Sequence, residues 1–549
     1  MDEEFDKLVD EFVKWLIEMN PIVGTILGLH EYDHLLPDAS REAYLKETEE
    51  EKEFLRRLEE LDPGELSFQK RIELDALIGI GHQAIFGAEE YRQWESRPVA
   101  VDALGGSILR LFTMDFAPLK DRLLNITSRI EKAPKFLEES KTRIVKPVKL
   151  WVETEIQTSK GFPVFLDEIF KTAKDVLSES ELERLGQAIE KTKESLLDYE
   201  KWMEEELLPN SEEEYRMGKE LLDKSIELKR LGLTTDEIRA LGEKYLNRFR
   251  KQLEELAEII KPGASVDEVR EHVRSNHPES FDQVMEEYRD SIKESRRFIE
   301  ENGLIDIPPG EELKVVETPE YLRNTIPFAA YLSPTRFDEK KTGIYIVTPI
   351  GDNPNLMKEH SYASIMNTTV HEGYPGHHLQ LTLSRMNPSI VPSIIGMSMG
   401  ATDTVEGWAH YCEEWMKEKG FDDTPEARFL QTIDLIWRAV RIIVDVDLHS
   451  KKMDFNQAVE FLLENVGMER PSAETEVRRY TMYPAYQLCY LIGRHLIMEL
   501  RDYVKQRMGD KYDEEFFHNT FLSAGSIPVF LIRQIFDHEL EAMGFPPQG

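Results

Sequence analysis

The residues of this chain with the clearest chemical potential lie in the stretch HEGYPGHH at positions 371–378. Three of the 14 histidines of the chain and one glutamate fall within these eight residues. Imidazole nitrogens and carboxylate oxygens are the ligands of catalytic zinc, which keeps one position open for water. The stretch therefore predicts one divalent metal ion per chain, most simply Zn²⁺, with His371 as the first ligand. Glu372 is the expected general base that takes a proton from the attacking water.

The spacing of the histidines departs from the HExxH pattern, in which the two ligands lie one helical turn apart. Position 375, four residues after His371, is a proline. One interpretation is that Pro375-Gly376 distorts the helix, so that His377 becomes the second ligand. A second is a nearly regular helix with His378 as the ligand, but its α-carbon would lie about 10.5 Å from that of His371. That long reach favours His377. A third interpretation is that these histidines only cap helices and complete hydrogen bonds in the core.

The third ligand must come from elsewhere in the chain, and Glu406 is the best candidate. It lies in the mostly uncharged stretch 398–408, where Asp403 is the only other acidic residue. A buried carboxylate without a partner is costly, so metal coordination would explain a glutamate at this place. The alternative is an ordinary exposed residue on a helix. His410, one turn later, is a candidate for an additional ligand or for a group that supports one.

The block HEGYPGHHLQ, followed by VEGWAHY, resembles the large bacterial and archaeal family catalogued as domain of unknown function 885. The likeness extends over most of the chain, through LGLHEYDHLLPD at 27–38 and through residues 331–345, 441–449 and 476–484. It implies a zinc metallopeptidase similar to the helical gluzincin oligopeptidases and angiotensin-converting enzyme, with a central substrate channel. Two departures bear on substrate preference more than on metal binding. They are His410, where the family has an apolar residue, and the segment Pro484-Ala485-Tyr486-Gln487, where it has PGQA.

The expected activity is hydrolysis of short peptides, as a carboxypeptidase or an oligopeptidase. Helical zincins often supply a tyrosine or histidine from late in the chain to the oxyanion, which makes Tyr480 the first candidate for that role. The alternatives to it are Tyr483, Tyr486 and His449. The candidates to bind the C-terminal carboxylate of a substrate are Arg441, Arg479 and Arg494, although a nearby aspartate would also explain these arginines. Two other functions remain open: hydrolysis of a non-peptide amide or ester, and peptide binding without catalysis.

Most elements that must position these residues are helices, since apolar residues recur at three- and four-residue spacing between charged ones. The clearest predicted helices cover residues 3–19, 41–61, 120–141, 180–207, 235–260 and 278–302. Residues 313–317 and 343–348 have the alternation and the β-branched content of strands. The expected fold is a large, mostly α body with a small sheet beside the metal helix, divided into an N-terminal helical region 1–305 and a catalytic region 306–549. We expect the strand at 344–348 to lie at the sheet edge and to pair with an extended substrate.

Composition limits the partners and the location. A formal net charge of −37 opposes binding to nucleic acid and to an anionic membrane surface. The sequence has no apolar run of about 18 residues and no basic, apolar leader at its start, so we expect neither a membrane span nor a secretory signal. The two cysteines, Cys412 and Cys489, do not form a framework of disulfides. The cytoplasm is therefore the expected location.

Overall fold

Helices make up most of the computed structural model, which describes residues 1–318, 329–350 and 354–546. Together with one small three-stranded sheet, they confirm the predicted mostly α fold. The chain packs into two compact units, one of residues 1–215 with 335–339 and the other of residues 216–334 with 340–549. None of the helices within the described ranges is long and apolar enough to cross a membrane.

The first unit is a set of amphipathic helices, in which α3 packs on α4 and α6 packs on α5 and α8. Serine side chains cap two of their N-termini: Ser40 caps α3, and Ser178 forms a capping box with Glu181 at the start of α8. The helices of this unit are α1 (Asp2–Met19), α2 (Pro21–Leu27), α3 (Arg41–Glu59), α4 (Phe68–Phe86), α5 (Ala100–Thr113), α6 (Leu119–Lys141), α7 (Lys149–Ala173) and α8 (Glu179–Trp202).

The second unit contains the sheet and all the residues that the sequence nominates for chemistry. Its helices are α9 (Lys219–Lys229), α10 (Thr235–Ile260), α11 (Val266–Arg274), α12 (Phe281–Glu301), α13 (Tyr362–Glu372), α14 (His377–Met386), α15 (Val391–Met397), α16 (Thr402–Glu418), α17 (Pro425–His449), α18 (Phe455–Val466), α19 (Arg470–Met482), α20 (Cys489–Met508), α21 (Glu514–Ser523) and α22 (Val529–Ala542). Helix α13 packs against α12, α16 and α17, and α14 packs against α16.

The sheet has the strand order β1 (Glu311–Glu317), β3 (Lys341–Val347), β2 (Ala329–Leu332). Strand β1 pairs with β3 in parallel, and β2 pairs with β3 in antiparallel register. The prediction that the strand at 344–348 lies at the sheet edge is therefore wrong. Residues 344–347 are hydrogen-bonded on both sides, so their backbone has no free edge for an extended substrate.

Helices α16 and α20 approach each other unusually closely at a pair of glycines. A Cβ atom built on Gly493 would lie 2.0 Å from the carbonyl oxygen of Asp403, and one built on Gly407 would lie 2.4 Å from the carbonyl carbon of Gly493. No residue with a side chain fits at either position without moving a helix backbone. This contact holds the helix that carries Glu406 against α20.

The predicted helices agree closely with the structure because their periodic apolar faces are buried. Residues 235–260 form α10 with the predicted bounds, and the other predicted helices differ by a few residues at their ends. The sequence places a boundary near residue 305, where helix gives way to sheet. That residue lies inside the second unit, and the compact units divide at residue 215.

Substitution of Gly493 by alanine is expected to destabilise the chain, because the added methyl group overlaps the Asp403 carbonyl group. Overpacking of this kind costs about 1–3 kcal/mol, so the melting temperature should fall in calorimetry. Gly161→Ala in α7 is the matched control, since a Cβ there meets no atom within 4 Å. An unchanged melting temperature for Gly493→Ala would contradict the close contact.

Candidate metal centre

Three side chains from three helices converge on one point. The ligand atoms of His371, His377 and Glu406 all lie within 4.8 Å of one another. The Oε2 atom of Glu406 is 3.5 Å from Nε2 of His377 and 3.9 Å from Nε2 of His371. In a tetrahedral zinc site with bonds of about 2.0–2.1 Å, neighbouring ligand atoms are roughly 3.4 Å apart. The donor set and its spacing therefore fit zinc.

The stretch between the two histidines is an interruption of the helix. Helix α13 ends at Glu372, and α14 starts at His377. Pro375 cannot continue a helix, and the backbone at Gly373 leaves the helical region, with φ −105° and ψ −106°. A Cβ atom on Gly376 would lie 1.9 Å from the carbonyl oxygen of His371, so only glycine fits. The predicted distortion is thus a complete break, and it brings His377 beside His371.

Helix α16 fixes the loop from the other side. The indole Nε1 of Trp408 donates a hydrogen bond of 2.8 Å to the carbonyl oxygen of Pro375. Trp408 is fully buried and lies two residues after Glu406 on the same helix. One helix therefore positions both Glu406 and the loop that leads to His377.

His378 lies outside the metal group, contrary to its prediction as an alternative ligand. Its ring is fully buried and both nitrogens have partners. The Nε2 atom donates to Glu311 Oε2 at 2.5 Å, and the Nδ1 atom accepts from the Tyr331 hydroxyl at 3.0 Å. Glu311 also accepts from Tyr374 and from the guanidinium of Arg296. His378 thus connects the metal loop to strands β1 and β2 as a structural residue.

Glu413 orients the ring of His371. Its Oε1 atom accepts a hydrogen bond of 2.7 Å from His371 Nδ1, which leaves Nε2 of that ring to face Glu406. A carboxylate behind a metal-binding histidine fixes the ring orientation and raises its basicity. The 2.7 Å distance leaves no room for an ion between these two atoms. The grouping of His371, Glu413 and His410 is therefore a hydrogen-bonded support for the site.

His410 belongs to this support and is not an additional ligand. Its Nδ1 lies 3.1 Å from Glu413 Oε1, and its Nε2 accepts from Arg438 Nε at 3.3 Å. Burial lowers the pKa of His410 to about 3, although Glu413 opposes this shift. The ring is therefore neutral, with its proton on Nδ1.

Neighbouring charges shift the pKa values of two residues of the metal group, His371 and Glu406. Burial lowers the pKa of His371, but the hydrogen bond to Glu413 and the charge of Glu372 raise it to about 9. Burial raises the pKa of Glu406, but the hydrogen bond from His377 and the charges of both histidines lower it to about 2. The carboxylate is thus ionised and ready to coordinate a cation, and binding of a cation would displace the proton of His371.

Glu372 is the last residue of α13 and is not one of the converging ligands. Its side chain is half-buried, and its negative charge acts on the hydroxyl groups of three tyrosines in α12 and the sheet. Burial, with a contribution from Glu372, holds the pKa of Tyr288, Tyr331 and Tyr345 well above its usual range. These hydroxyls therefore stay neutral beside the carboxylate.

Tyr480, the predicted donor to the oxyanion, is engaged elsewhere. Its hydroxyl accepts from Trp437 Nε1 at 3.2 Å and from Arg441 Nε at 3.1 Å. Two other tyrosines lie closer to the metal group: burial and then the Glu406 carboxylate raise the pKa of both Tyr486 and Tyr490. Tyr486 is among the alternatives that the sequence predicts, whereas Tyr490 is not.

Three supporting residues escape sequence reasoning. The sequence does contain an indication of Glu413: it follows Glu406 by two helical turns and therefore lies on the same face of the helix. Tyr490 had a weaker one, because it follows Tyr486 by one turn. Glu311 had none, since its partner His378 lies in a different element.

Comparison with known proteins places the chain among proteins of similar fold. A family model described as "Bacterial protein of unknown function (DUF885)" matches residues 21–535. No curated protein matches significantly. A structure described as a candidate lipoprotein of unknown function from Shewanella oneidensis is 23% identical, with a TM-score of 0.79, and the match covers 97% of this chain and 99% of that one. A candidate lipoprotein from Colwellia psychrerythraea is 20% identical, with a TM-score of 0.84, and the match covers 98% and 99%. At these identities the likeness shows the fold alone.

Separate substitutions of the two adjacent histidines, His377 and His378, test which of them is a ligand. His377→Ala is expected to weaken zinc binding by more than about 100-fold. Loss of a residue that only hydrogen-bonds to a ligand typically weakens binding by about 10- to 100-fold. His378→Asn should weaken it by less than that, and should mainly lower the melting temperature because Glu311 loses a partner. Competition with a fluorescent chelator measures the affinity. The reverse order would contradict the assignment.

Removal of the charge on Glu413 tests its support of His371. Glu413→Gln is expected to lower zinc affinity about 10- to 100-fold, because His371 loses its charged acceptor. Glu418→Gln is a control on the same helix, where the carboxylate pairs with Arg501 instead. Equal zinc affinities for Glu413→Gln and Glu418→Gln would rule out this role.

Proposed function

The chain belongs to the DUF885 family, and we propose that it is a metal-dependent peptidase that hydrolyses short peptides. The observation that carries the proposal is the convergence of His371, His377 and Glu406, with the carboxylate of Glu372 on the next residue after His371 and outside that group. A structural metal site has no use for a base at that position. The donor set favours zinc, with one ion per chain.

The proposed chemistry divides between the ion and the side chains of the chain. A bound zinc ion would supply a Lewis acid and would make a water acidic enough to react near neutral pH. Glu372 takes a proton from the attacking water as its oxygen bonds to the peptide carbon. The same carboxylate then delivers the proton to the nitrogen as the carbon–nitrogen bond breaks.

The negative charge that develops on the carbonyl oxygen needs a hydrogen-bond donor. Tyr486 and Tyr490 are the tyrosines that we propose for this role. Both are half-buried, and burial with the nearby Glu406 charge raises the pKa of each. Their hydroxyls therefore keep their protons at neutral pH and are able to donate. Tyr480 is less suited, because its hydroxyl is already hydrogen-bonded to the Glu476 carboxylate, which engages its proton.

We retain the cytoplasm as the proposed location, on the basis of two free, buried cysteines. The two structures of similar fold are described as candidate lipoproteins, which makes attachment to a membrane the alternative for this chain. Fractionation of cells that express the natural protein separates the two: recovery with the membranes would contradict a cytoplasmic location.

Activity is tested by incubation of the zinc-loaded chain with a mixture of short peptides, read by mass spectrometry. We expect cleavage that a chelator abolishes and added zinc restores. Glu372→Gln should lower kcat about 10²- to 10⁴-fold, because the general base is lost, while zinc remains bound at one ion per chain. Glu464→Gln, at an exposed position of α18, is the matched control and should be fully active.

Full activity of Glu372→Gln would show that the proposed base is wrong. A panel of non-peptide amides and esters at equal concentration tests the alternative substrate class. Turnover of that panel without peptide cleavage would replace the peptidase by another hydrolase with the same site.

A further inference from the structure

We propose that Arg479, supported by Arg441, binds the free C-terminal carboxylate of the substrate, so that the chain attacks peptides near that end. This inference rests on the proposed peptidase function and selects among its substrates. It predicts cleavage near the C-terminus of the peptide, as in a carboxypeptidase, and not cleavage at internal bonds.

The first observation is an excess of positive charge beside the metal group. The guanidinium groups of Arg441 and Arg479 both donate to the same oxygen of Glu476, at 3.2 and 3.0 Å. Within the part of the chain that the structure describes, one carboxylate thus faces two guanidinium groups, and no second carboxylate is hydrogen-bonded to either of them. A second anion is the natural partner for such an arrangement.

The second observation is that the two arginines differ in access. The side chain of Arg441 is only 6% exposed and is enclosed by aromatic rings, with its Cζ 4.1 Å from the ring centre of Trp437. The side chain of Arg479 is 34% exposed. Within the described residues, its one side-chain hydrogen bond runs from Nη2 to Glu476, and its buried Nε has no partner. Arg479 is therefore the group that a ligand reaches, and Arg441 holds Glu476 in place.

The third observation is the position of this cluster relative to the metal ligands. The ring of His371 lies 4.7 Å from that of His410, which lies 5.9 Å from the ring of Tyr490. The Cζ of Arg441 is 4.8 Å from the centre of that tyrosine ring. The arginine cluster therefore lies one aromatic layer beyond the side chains that support the metal group.

Tyr486 connects the two regions. After burial, the Glu406 carboxylate raises its pKa and the Arg479 guanidinium lowers it, so both charges act on one hydroxyl.

The negative net charge of the chain is a further reason to expect a local positive group where a substrate carboxylate binds. At a formal net charge of −37, the chain as a whole repels anions. A peptide with a free C-terminal carboxylate needs a specific positive group to overcome that repulsion near the site. The planar fork of an arginine also distinguishes a carboxylate from a neutral amide.

The test compares an acetylated tetra-alanine peptide as the free acid and as its C-terminal amide. With the zinc-loaded full chain, kcat/KM should be about 10- to 100-fold higher for the acid, as expected for a charge-assisted hydrogen bond. Arg479→Gln should remove this preference by slowing cleavage of the acid while cleavage of the amide changes little. Arg479→Lys, which keeps the charge without the fork, should retain part of it. Arg470→Gln, an exposed position on the same helix, is the matched control.

Binding separates this inference from the proposed function. Calorimetric titration of Glu372→Gln protein with the two peptides should show the same preference for the acid, again lost in the double variant with Arg479→Gln. Preferential binding of the acid without any cleavage would contradict the peptidase function and support the carboxylate site. Equal kcat/KM for acid and amide, or an unchanged preference in folded Arg479→Gln, would overturn the inference.

Discussion

Two helix ends meet at a glycine that has no room for a side chain, and the metal group depends on this contact. Along a continuous helix, His371 and His377 would point in different directions and lie about 9 Å apart along the axis. The break between α13 and α14 removes that separation, and the two rings come to lie 4.8 Å apart. The Gly376 backbone against the His371 carbonyl group makes this possible. Glycine usually weakens a helix, but Gly376 is the residue that allows the rings of His371 and His377 to come together.

The rest of the second unit keeps this contact in place from two sides. Helix α16 provides Glu406, the Trp408 bond to the loop, and Glu413 behind His371. It is in turn held against α20 by the close approach of Gly407 and Gly493. On the other side, buried Glu311 of β1 binds the ring of His378. The small sheet thus serves as an anchor for the metal loop.

The convergence of the three side chains was predictable because residue type and spacing carried the information. Histidines and acids are rare in apolar helices without a reason, and that rule pointed to His371, His377 and Glu406. The long helices were predictable because their apolar period is regular, as in residues 235–260. The sheet order was not, since β2 is four residues long and has no alternating pattern. The role of His378 was not predictable either, because its partner Glu311 is distant in sequence.

Protein groups set part of the geometry of the candidate metal site. His371 is oriented by Glu413, and the backbone of His377 is fixed by the glycine contact. In the proposed metal site, two imidazoles and one carboxylate favour an ion that accepts nitrogen donors. Calcium requires six to eight oxygen ligands at longer distances, which this group does not offer. In the proposed metal site, the break in the helix thus favours small ions that accept nitrogen donors over calcium.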